Sequence, residues 1–354
     1  MTFTKKGTHY MQNEPGGGCP RYERNWRYAY ERVFYGTPED SLSTWDATKG
    51  RAKEVVNTLW VLVIKRDENN VEVKKKARCV YDGNGQKECA ARMGRELNTF
   101  APTVRSATHK AQVARACALG RRIRCFDVTA AYLKGKFFTT EVIYARAPPG
   151  FRRYDARGVQ YVWKLRVPLY GEADAGYIWN RTLVEQLVCV QGFVQSQHDP
   201  CLFVKQLADG TTIDICVHVD DGFVTDSGSS LADDELELLN VAFKDKHGAD
   251  GVVLKEPRHF LGQNIDVHSP TRVTISSRAY VTQLAVKYLP APLTEYSKCV
   301  TPCLKGLVEA YEEAVTRTAP LDPAGMKAYA SKTGAAIFAG AASRCDALYA
   351  LGME

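Results

Sequence analysis

Three aspartates stand directly behind short apolar segments, where a carboxylate is well placed to do chemistry. Asp127 lies near the end of Arg124–Val128, a segment that predicts a short strand. Asp220 and Asp221 follow residues 211–219, in which apolar and polar side chains alternate with the period of a strand, and Asp220-Asp221-Gly222 predicts a hairpin turn with both acidic groups at its tip. A carboxylate beside a hydrophobic core is costly unless it is paired or binds a cation. The three aspartates are therefore candidates for a cation site.

The chemistry suited to such a set is a displacement at phosphorus assisted by divalent metal ions. Mg²⁺ takes oxygen ligands, commonly one or two carboxylates together with substrate phosphates. Two such ions about 3.5–4 Å apart activate an attacking hydroxyl group and stabilise the leaving oxygen. One carboxylate from a strand and two from an adjacent hairpin suit this role, because strands hold ligands rigidly while one side stays open. Asp-Asp-Gly is also common in ordinary surface turns, and the residues alone leave both interpretations open.

The rest of the sequence predicts a mixture of strands and helices behind a leader. Residues 1–54 are polar and rich in Gly and Tyr, which predicts a poorly ordered leader. The apolar run Leu59–Ile64, the turn Asp67–Asn70 and the returning segment Val71–Tyr81 predict a basic β-hairpin. Helices are predicted over residues 103–120, 129–133, 175–190, 231–246, 280–288 and 325–350, and further strands over 159–165, 201–206, 258–268 and 272–276.

Charge is distributed unevenly along the chain. Residues 1–160 contain 30 Lys and Arg against 16 Asp and Glu, a net charge of +14, whereas residues 161–354 contain 17 against 24, a net charge of −7. A basic lobe that binds a polyanion, next to a carboxylate-rich lobe, would produce this pattern. An ordinary drift of surface charge between two lobes would produce it equally well.

The composition argues against several other classes of protein. The eleven cysteines include no CxxC pair, which predicts reduced thiols rather than a zinc site or disulfides. No apolar run approaches the roughly 18 residues that a membrane span needs. The first residues lack the apolar stretch of a secretory signal, so an intracellular location is expected.

From about Trp60 to its C-terminus the chain resembles the copia-type reverse transcriptases of LTR retrotransposons. The resemblance rests on the joint order and spacing of several short motifs, of which none is decisive alone. They are Trp60-Val61 with Lys76-Ala77-Arg78; Thr99–Arg105, similar to TFAPVVR; Asp127–Gly135, similar to DVKTAFLNG; Ile143-Tyr144 with Pro148–Phe151, similar to IYMEQPEGF; Leu169-Tyr170-Gly171; Asp199-Pro200-Cys201; Val219-Asp220-Asp221; and Phe260-Leu261-Gly262.

The resemblance implies a fold and an activity. The fold is a right-hand polymerase of the α/β (α+β) class, with fingers and a palm whose antiparallel sheet carries helices on one face. Its parts would be the leader over residues 1–54, fingers and palm over 55–290, and a thumb- or connection-like segment over 291–354, with no RNase H domain. The reaction would be the addition of dNTPs to a primer 3′-end on an RNA or DNA template. The enzyme would act away from membranes, in the cytoplasm within a virus-like particle or in the nucleus.

The resemblance also implies roles for individual residues. Asp127, Asp220 and Asp221 would bind two Mg²⁺ ions. Tyr132 would pack under the incoming sugar and exclude a 2′-hydroxyl group, although a tyrosine at a strand-to-helix turn is also an ordinary core residue. Lys76 and Arg78 would contact the triphosphate or the template, although a solvated basic strand face would look the same.

Three positions depart from the family pattern. Asp174 stands where a glutamine normally lies beside the incoming nucleotide, Glu172 adds a second acidic residue, and His218 replaces the tyrosine usual before Val-Asp-Asp. Negative charge near a triphosphate predicts weaker nucleotide binding. A non-catalytic nucleic-acid-binding remnant is therefore the alternative to an active polymerase. A template-independent nucleotidyltransferase is a third possibility, which the Phe260-Leu261-Gly262 segment disfavours because it implies a primer.

Overall fold

The computed structural model describes residues 42–44, 55–66, 72–136, 143–148, the even-numbered residues from 152 to 160, 161–165, 167–244, 251–289, 306–316 and 322–343. The strands within these residues are β1 (Leu42–Thr44), β2 (Val56–Arg66), β3 (Glu72–Tyr81), β4 (Arg122–Val128), β5 (Tyr144–Arg146), β6 (Tyr161–Lys164), β7 (Val194–Gln195), β8 (Leu202–Gln206), β9 (Thr212–His218), β10 (Asp221–Asp226), β11 (Val252–Lys255), β12 (His259–Phe260), β13 (Gln263–Ser269) and β14 (Arg272–Ser276). The helices are α1 (Gly83–Arg92), α2 (Ser106–Ala118), α3 (Ala175–Val184), α4 (Ser230–Phe243), α5 (Arg278–Tyr288), α6 (Leu307–Thr316) and α7 (Pro323–Ser343). A 3₁₀ turn, Ala131–Lys134, follows β4, and a π-helical turn, Glu185–Val190, extends α3.

The basic hairpin predicted from the sequence is present and belongs to a five-stranded sheet. Its strand order is β1-β6-β5-β2-β3, with β2 and β3 antiparallel and β2 and β5 parallel. Trp60, Tyr81 and Leu169 are buried in the core of this part of the chain. β1 pairs with β6 and lies inside the predicted leader, so residues 42–44 correct that prediction, while the rest of 1–54 lies outside the described residues.

The second sheet has six antiparallel strands in the order β11-β4-β10-β9-β8-β7. The segment that alternates in sequence forms the hairpin β9–β10, and β10 then pairs along its length with β4. Strands in which alternate side chains point to opposite faces can serve two cores at once. The fold class is therefore mixed, with antiparallel sheets and helices.

The six-stranded sheet is covered by helices on both faces, which corrects the prediction of helices on one face. On one face Phe126, Val217 and Val224 join α3 and α4 in a core. On the other face Cys125 and Phe223 join α2 and the three-stranded sheet β12-β13-β14. The second core was not predicted because the apolar residues of α2 are small and spaced irregularly. Their burial depends on the strands that pack against this helix.

The C-terminal helix α7 is tied to the rest of the molecule by hydrogen bonds to its late carbonyl groups. Lys110 Nζ on α2 and Gln263 Nε2 on β13 both donate to the Ala342 carbonyl at 2.8 Å. Tyr280 Oη on α5 donates to the Ala335 carbonyl at 3.3 Å. The two bonds to Ala342 satisfy a carbonyl group in the last turn of the helix, where intrahelical donors are lacking.

Helix α1 was not predicted, because its glycine-rich first turn conceals it. The Asp82 side chain accepts a hydrogen bond from the Gly85 amide at 3.2 Å and so caps the helix. Gly83 must be glycine, because a Cβ there would lie 2.2 Å from the Gly171 carbonyl oxygen. This close approach brings the Leu169-Tyr170-Gly171 motif against the end of β3. None of the described helices has both the length and the hydrophobicity needed to cross a membrane.

Candidate active site

Asp127 and Asp221 are direct cross-strand neighbours in the six-stranded sheet. The register of β4 and β10 pairs Asp127 with Asp221 and Phe126 with Gly222. Side chains paired in this way have Cβ atoms about 4.5–5.5 Å apart. The Val128 amide, next to Asp127, donates to the Asp220 carbonyl at 2.7 Å. The register therefore makes Asp127 and Asp221 neighbours, and Asp220 precedes Asp221 in the adjoining turn.

The turn that carries Asp220 lies one residue earlier than the sequence suggested. Its two central residues are Val219 and Asp220, whereas Asp221 and Gly222 already belong to β10. A Cβ at position 222 would lie 2.1 Å from the Phe126 ring, so glycine there allows β10 to approach β4. The glycine of Asp-Asp-Gly is needed for strand pairing rather than for the turn.

Lys255 places a positive charge between the two paired carboxylates. Its Nζ atom lies 3.0 Å from Asp127 Oδ1 and 3.9 Å from Asp221 Oδ1. Burial raises the pKa of Asp221, and the neighbouring Asp220 and Asp127 charges raise it further, while Lys255 and His218 lower it. Sequence reasoning missed Lys255 because it did not predict β11, whose pairing with β4 brings this lysine to the site.

The carboxylate oxygens of Asp127, Asp220 and Asp221 are the donor type that a hard divalent cation takes, but the three side chains are not gathered into a metal site in this structure. The Lys255 ammonium already occupies the position of a cation between Asp127 and Asp221, which shows that this pair favours positive charge. Among the described residues, no three histidine, cysteine or carboxylate side chains stand close enough together to hold a metal ion. Oxygen-only donors are typical of Mg²⁺, which commonly takes its remaining ligands from water and substrate phosphates.

Tyr132 and Arg78 are connected to the aspartates through Tyr170. The Tyr132 and Tyr170 ring centroids are 5.1 Å apart, and the Arg78 guanidinium lies over the Tyr170 ring, 5.6 Å from its centroid. Burial raises the pKa of Tyr132, and the nearby Asp220 raises it further. Lys76 lies on the same strand as Arg78, and its side chain is outside the described part of the structure.

A small cavity lies beside Tyr132. Its volume is about 40 Å³, and its lining includes Pro102, Trp179 and Val219. Tyr132 is itself one of the residues that line this cavity.

Asp174 and Glu172 both have structural partners. Asp174 Oδ1 accepts a hydrogen bond from Gln86 Nε2 at 3.0 Å, and Gln86 Oε1 accepts one from the Ala173 amide at 2.7 Å. Glu172 is buried, and its Oε1 atom accepts from the Leu169 amide at 2.8 Å. Burial raises the pKa of Glu172 to about 8. The hydrogen bond from the Leu169 amide lowers this pKa, and the nearby Asp174 charge raises it further. The burial of Glu172 therefore favours its protonated form, which would carry no negative charge.

Two further motif residues have clear local surroundings. The buried Asp199 carboxylate accepts hydrogen bonds from the Arg105 amide at 3.0 Å, the Thr108 hydroxyl at 2.6 Å and the Cys201 amide at 2.9 Å. Asp199 therefore anchors the first turn of α2, a role its sequence position did not suggest. His218 on β9 is the second cross-strand partner of Asp221. In the sheet, Asp221 therefore lies between His218 on one side and Asp127 on the other.

Comparison with known proteins gives one family match and several relatives. Residues 43–305 match the family model for reverse transcriptase (RNA-dependent DNA polymerase). The chain is 30% identical over 247 residues to the retrovirus-related Pol polyprotein from transposon RE1 of Arabidopsis thaliana, which covers 69% of this chain and 16% of that protein. The same figures hold for the polyprotein from transposon RE2 of that plant. A putative transposon Ty5-1 protein of Saccharomyces cerevisiae is 30% identical over 159 residues, 45% of this chain and 48% of that protein. The chain thus spans about a sixth of the plant polyproteins that it matches.

Proposed function

Because the chain belongs to the reverse transcriptase (RNA-dependent DNA polymerase) family, we propose that it adds deoxynucleotides to a primer 3′-end on an RNA template. Its relatives are Pol polyproteins of plant transposons, which confirms the resemblance to copia-type retrotransposon enzymes. The observation that carries the proposal is the cross-strand pairing of Asp127 with Asp221, with Asp220 in the adjoining turn.

The three sheets correspond to the parts of a right-hand polymerase. The five-stranded sheet with α1 is the fingers, and the six-stranded sheet with α2, α3 and α4 is the palm, both within residues 55–290. The three-stranded sheet β12-β13-β14 and α5 grip the primer, and residues 291–354, which contain α6 and α7, form the thumb- or connection-like part. This division is supported by a separate core for the five-stranded sheet, whereas the six-stranded and three-stranded sheets share one of their cores.

Asp127, Asp220 and Asp221 would hold two Mg²⁺ ions together with the substrate phosphates. When bound, these ions lower the pKa of the primer 3′-hydroxyl and neutralise charge on the leaving pyrophosphate. The chain's own contribution is rigidity, because two carboxylates project from paired strands and the third from the turn between β9 and β10. In this structure the Lys255 ammonium offsets part of the negative charge of the Asp127–Asp221 pair.

The residues around the aspartates would bind the nucleotide. Tyr132 limits the space beside the sugar, and Arg78, held over Tyr170, faces the triphosphate or the template. Lys76 adds positive charge on the same strand. Asp174 and its partner Gln86 would form the edge of the nucleotide site, where the hydrogen bond from Gln86 fixes the position of the carboxylate.

The primer duplex would lie along the groove between β13, β14 and α5. This groove has a volume of about 510 Å³, and its lining includes Asn264, Thr282, Gln283, Arg278 and Lys287. Amide, hydroxyl and basic side chains of this kind contact phosphate and sugar without reading the base sequence.

The alternative of a non-catalytic remnant rested on extra negative charge at the nucleotide site. The burial and raised pKa of Glu172 weaken that argument, because a protonated carboxyl does not repel a triphosphate. The paired aspartates instead favour an active enzyme.

Primer extension on an RNA template with Mg²⁺ and dNTPs tests the proposal. We expect the parent chain to extend the primer according to the template, and Asp220→Asn to lose at least about a hundredfold in rate, because it removes a ligand charge from the transition state. Asp234→Asn, at an exposed site on α4, makes the same change away from the site and should leave the rate unaltered.

Two results would contradict the proposal. Binding of primer and template without extension by the parent chain would establish the remnant. Incorporation that ignores the template sequence would establish a template-independent transferase.

A further inference from the structure

The turn between β9 and β10 holds a valine in a conformation that valine rarely adopts. Val219 has φ +60°, and Asp220 is absent from the described non-glycine residues with positive φ. A two-residue hairpin turn with positive φ only at its first central residue is of type II′, where glycine is the usual residue. Val219 is also β-branched, for which a positive φ is a genuine outlier. Something outside the turn must therefore hold it.

The indole of Trp179 holds the central peptide of this turn. Its Nε1–H donates to the Val219 carbonyl oxygen at 2.6 Å. Trp179 is buried on α3, and its ring packs against Phe243 of α4 with centroids 5.1 Å apart. The next carbonyl, that of Asp220, accepts from the Val128 amide at 2.7 Å. Two successive peptide groups of the turn are thus held from opposite sides.

We propose that the Trp179 indole N–H is a positioning group, which keeps the strained Val219 turn in the conformation that presents Asp220 and Asp221 beside Asp127. The inference rests on the proposed function, because it assigns the aspartates to metal binding. Trp179 acts through the Val219 carbonyl and reaches the metal ions and the substrate only indirectly. Without this hydrogen bond, Val219 would relax towards negative φ and move the two carboxylates with it.

Trp179→Phe removes the N–H donor and keeps an aromatic ring in the core. We expect Mn²⁺, as a probe for the metal site, to bind the full chain roughly five- to tenfold more weakly, the change expected for loss of one hydrogen bond. The kcat for primer extension should fall by a similar factor, while the KM for dNTP changes little. Electron paramagnetic resonance of free Mn²⁺ measures the binding without any need for activity.

Val219→Gly supplies the decisive comparison. Glycine adopts positive φ without strain, so the turn no longer needs the indole. The double variant Trp179→Phe/Val219→Gly should therefore bind Mn²⁺ within about twofold of Val219→Gly alone. Failure of glycine to relieve the effect of Trp179→Phe would overturn the proposal.

Phe243→Leu controls for loss of core packing. It shrinks the side chain that packs against the indole and leaves the Nε1–H donor in place. If Phe243→Leu lowers the thermal midpoint as much as Trp179→Phe but leaves Mn²⁺ binding intact, the hydrogen bond is responsible. Equal losses of Mn²⁺ binding in both variants would mean that the tryptophan acts only as core.

The two hypotheses fail in different ways. A parent chain that does not extend primers, but whose Mn²⁺ binding falls in Trp179→Phe and is recovered with Val219→Gly, would remove the polymerase proposal and keep this one. A parent chain that extends primers, with Trp179→Phe equal to it in Mn²⁺ binding and kcat, would remove this inference alone. Mn²⁺ binding by the parent no stronger than by Asp220→Asn would also overturn it.

Discussion

The carboxylates of the site lie where their mutual repulsion must be balanced by a cation. Asp221 is half exposed, and Asp127 is about a third exposed, so both carboxylates remain in contact with water while they lie side by side. Lys255 supplies the balancing charge within the chain. Because an ammonium and a divalent ion favour the same carboxylate pair, the lysine and the metal ion compete for it.

Replacing Lys255 by methionine should therefore strengthen metal binding. The ion pair is partly exposed, so we expect Mn²⁺ affinity to rise by a factor of about two to five, the range of an exposed salt bridge. The rise of the thermal midpoint on addition of Mn²⁺ measures this effect. Lys244→Met, at another partly exposed lysine that is paired with Glu237, is the control. Unchanged or weaker Mn²⁺ binding in Lys255→Met would show that the lysine does not compete.

The proposed role of Tyr132 also depends on a single residue, because the bulk of its ring would limit the space beside the sugar. Replacing it by valine should reduce the preference for dNTPs over ribonucleotides by about tenfold or more, because steric exclusion depends on a few atoms at one place. The ratio of kcat/KM for the two kinds of nucleotide measures the preference. Tyr132→Phe keeps the ring and should keep the preference. An unchanged ratio in the valine variant would identify Tyr132 as an ordinary core residue.

At the scale of elements, α2 joins the six-stranded sheet to the three-stranded sheet through a buried histidine. His109 packs against Phe223 of β10 and Phe260 of β12, with ring centroids 4.5 Å and 4.9 Å away. Within the described part of the chain neither ring nitrogen has a hydrogen-bond partner. Burial, with a smaller effect from Lys110, lowers the pKa of His109 to about 4. The histidine is therefore buried in its neutral form.

This burial predicts a loss of stability in acid. Between pH 6.5 and 4 an unfolded histidine binds a proton that the folded one excludes, so the free energy of unfolding should fall as the pH falls, by up to about 3 kcal/mol. Urea unfolding at several pH values measures the slope. His109→Leu should flatten it, whereas His198→Leu, at an exposed histidine, should not. An equally steep slope in His109→Leu would assign the acid sensitivity to other groups.

Helices and strands whose own residues follow a regular pattern could be predicted from the sequence. Strands that form only by pairing with a neighbouring strand could not. The β9–β10 hairpin follows from alternation over residues 211–226, and α3 follows from the helical spacing of its apolar residues. β11 was missed because its four residues, Val252–Lys255, carry no alternation of their own and become a strand by pairing with β4. The two-residue strand β7 is likewise a product of its neighbour β8.

At the scale of the whole molecule, the excess positive charge favours nucleic acid as a partner. The net charge is +7, and the basic excess lies in the first 160 residues, which include the fingers hairpin. Arg278 and Lys287 extend basic character to the groove beside α5. Binding that depends on such charges releases counterions from the phosphates and weakens with salt.

Affinity for primer and template should therefore fall steeply as salt is raised. The logarithm of the association constant should fall linearly with the logarithm of salt concentration, with a slope of about −0.9 for each phosphate contacted on a duplex. Arg278→Gln and Lys287→Gln should each reduce the slope by about one unit, as expected for a phosphate contact. Lys244→Gln on the palm surface should leave it unchanged. Slopes that do not differ among the three variants would place the duplex elsewhere.

The sequence by itself determined the family, the strands that carry the acidic residues and the residues worth testing, because motif order and side-chain periodicity are local properties. Only the tertiary structure decided the register that pairs Asp127 with Asp221, the arrival of Lys255 between them and the hydrogen bond from Trp179 to Val219. It also decided that Glu172 is buried. Each of these depends on a partner far along the chain, and packing brings such partners together in ways that spacing does not encode.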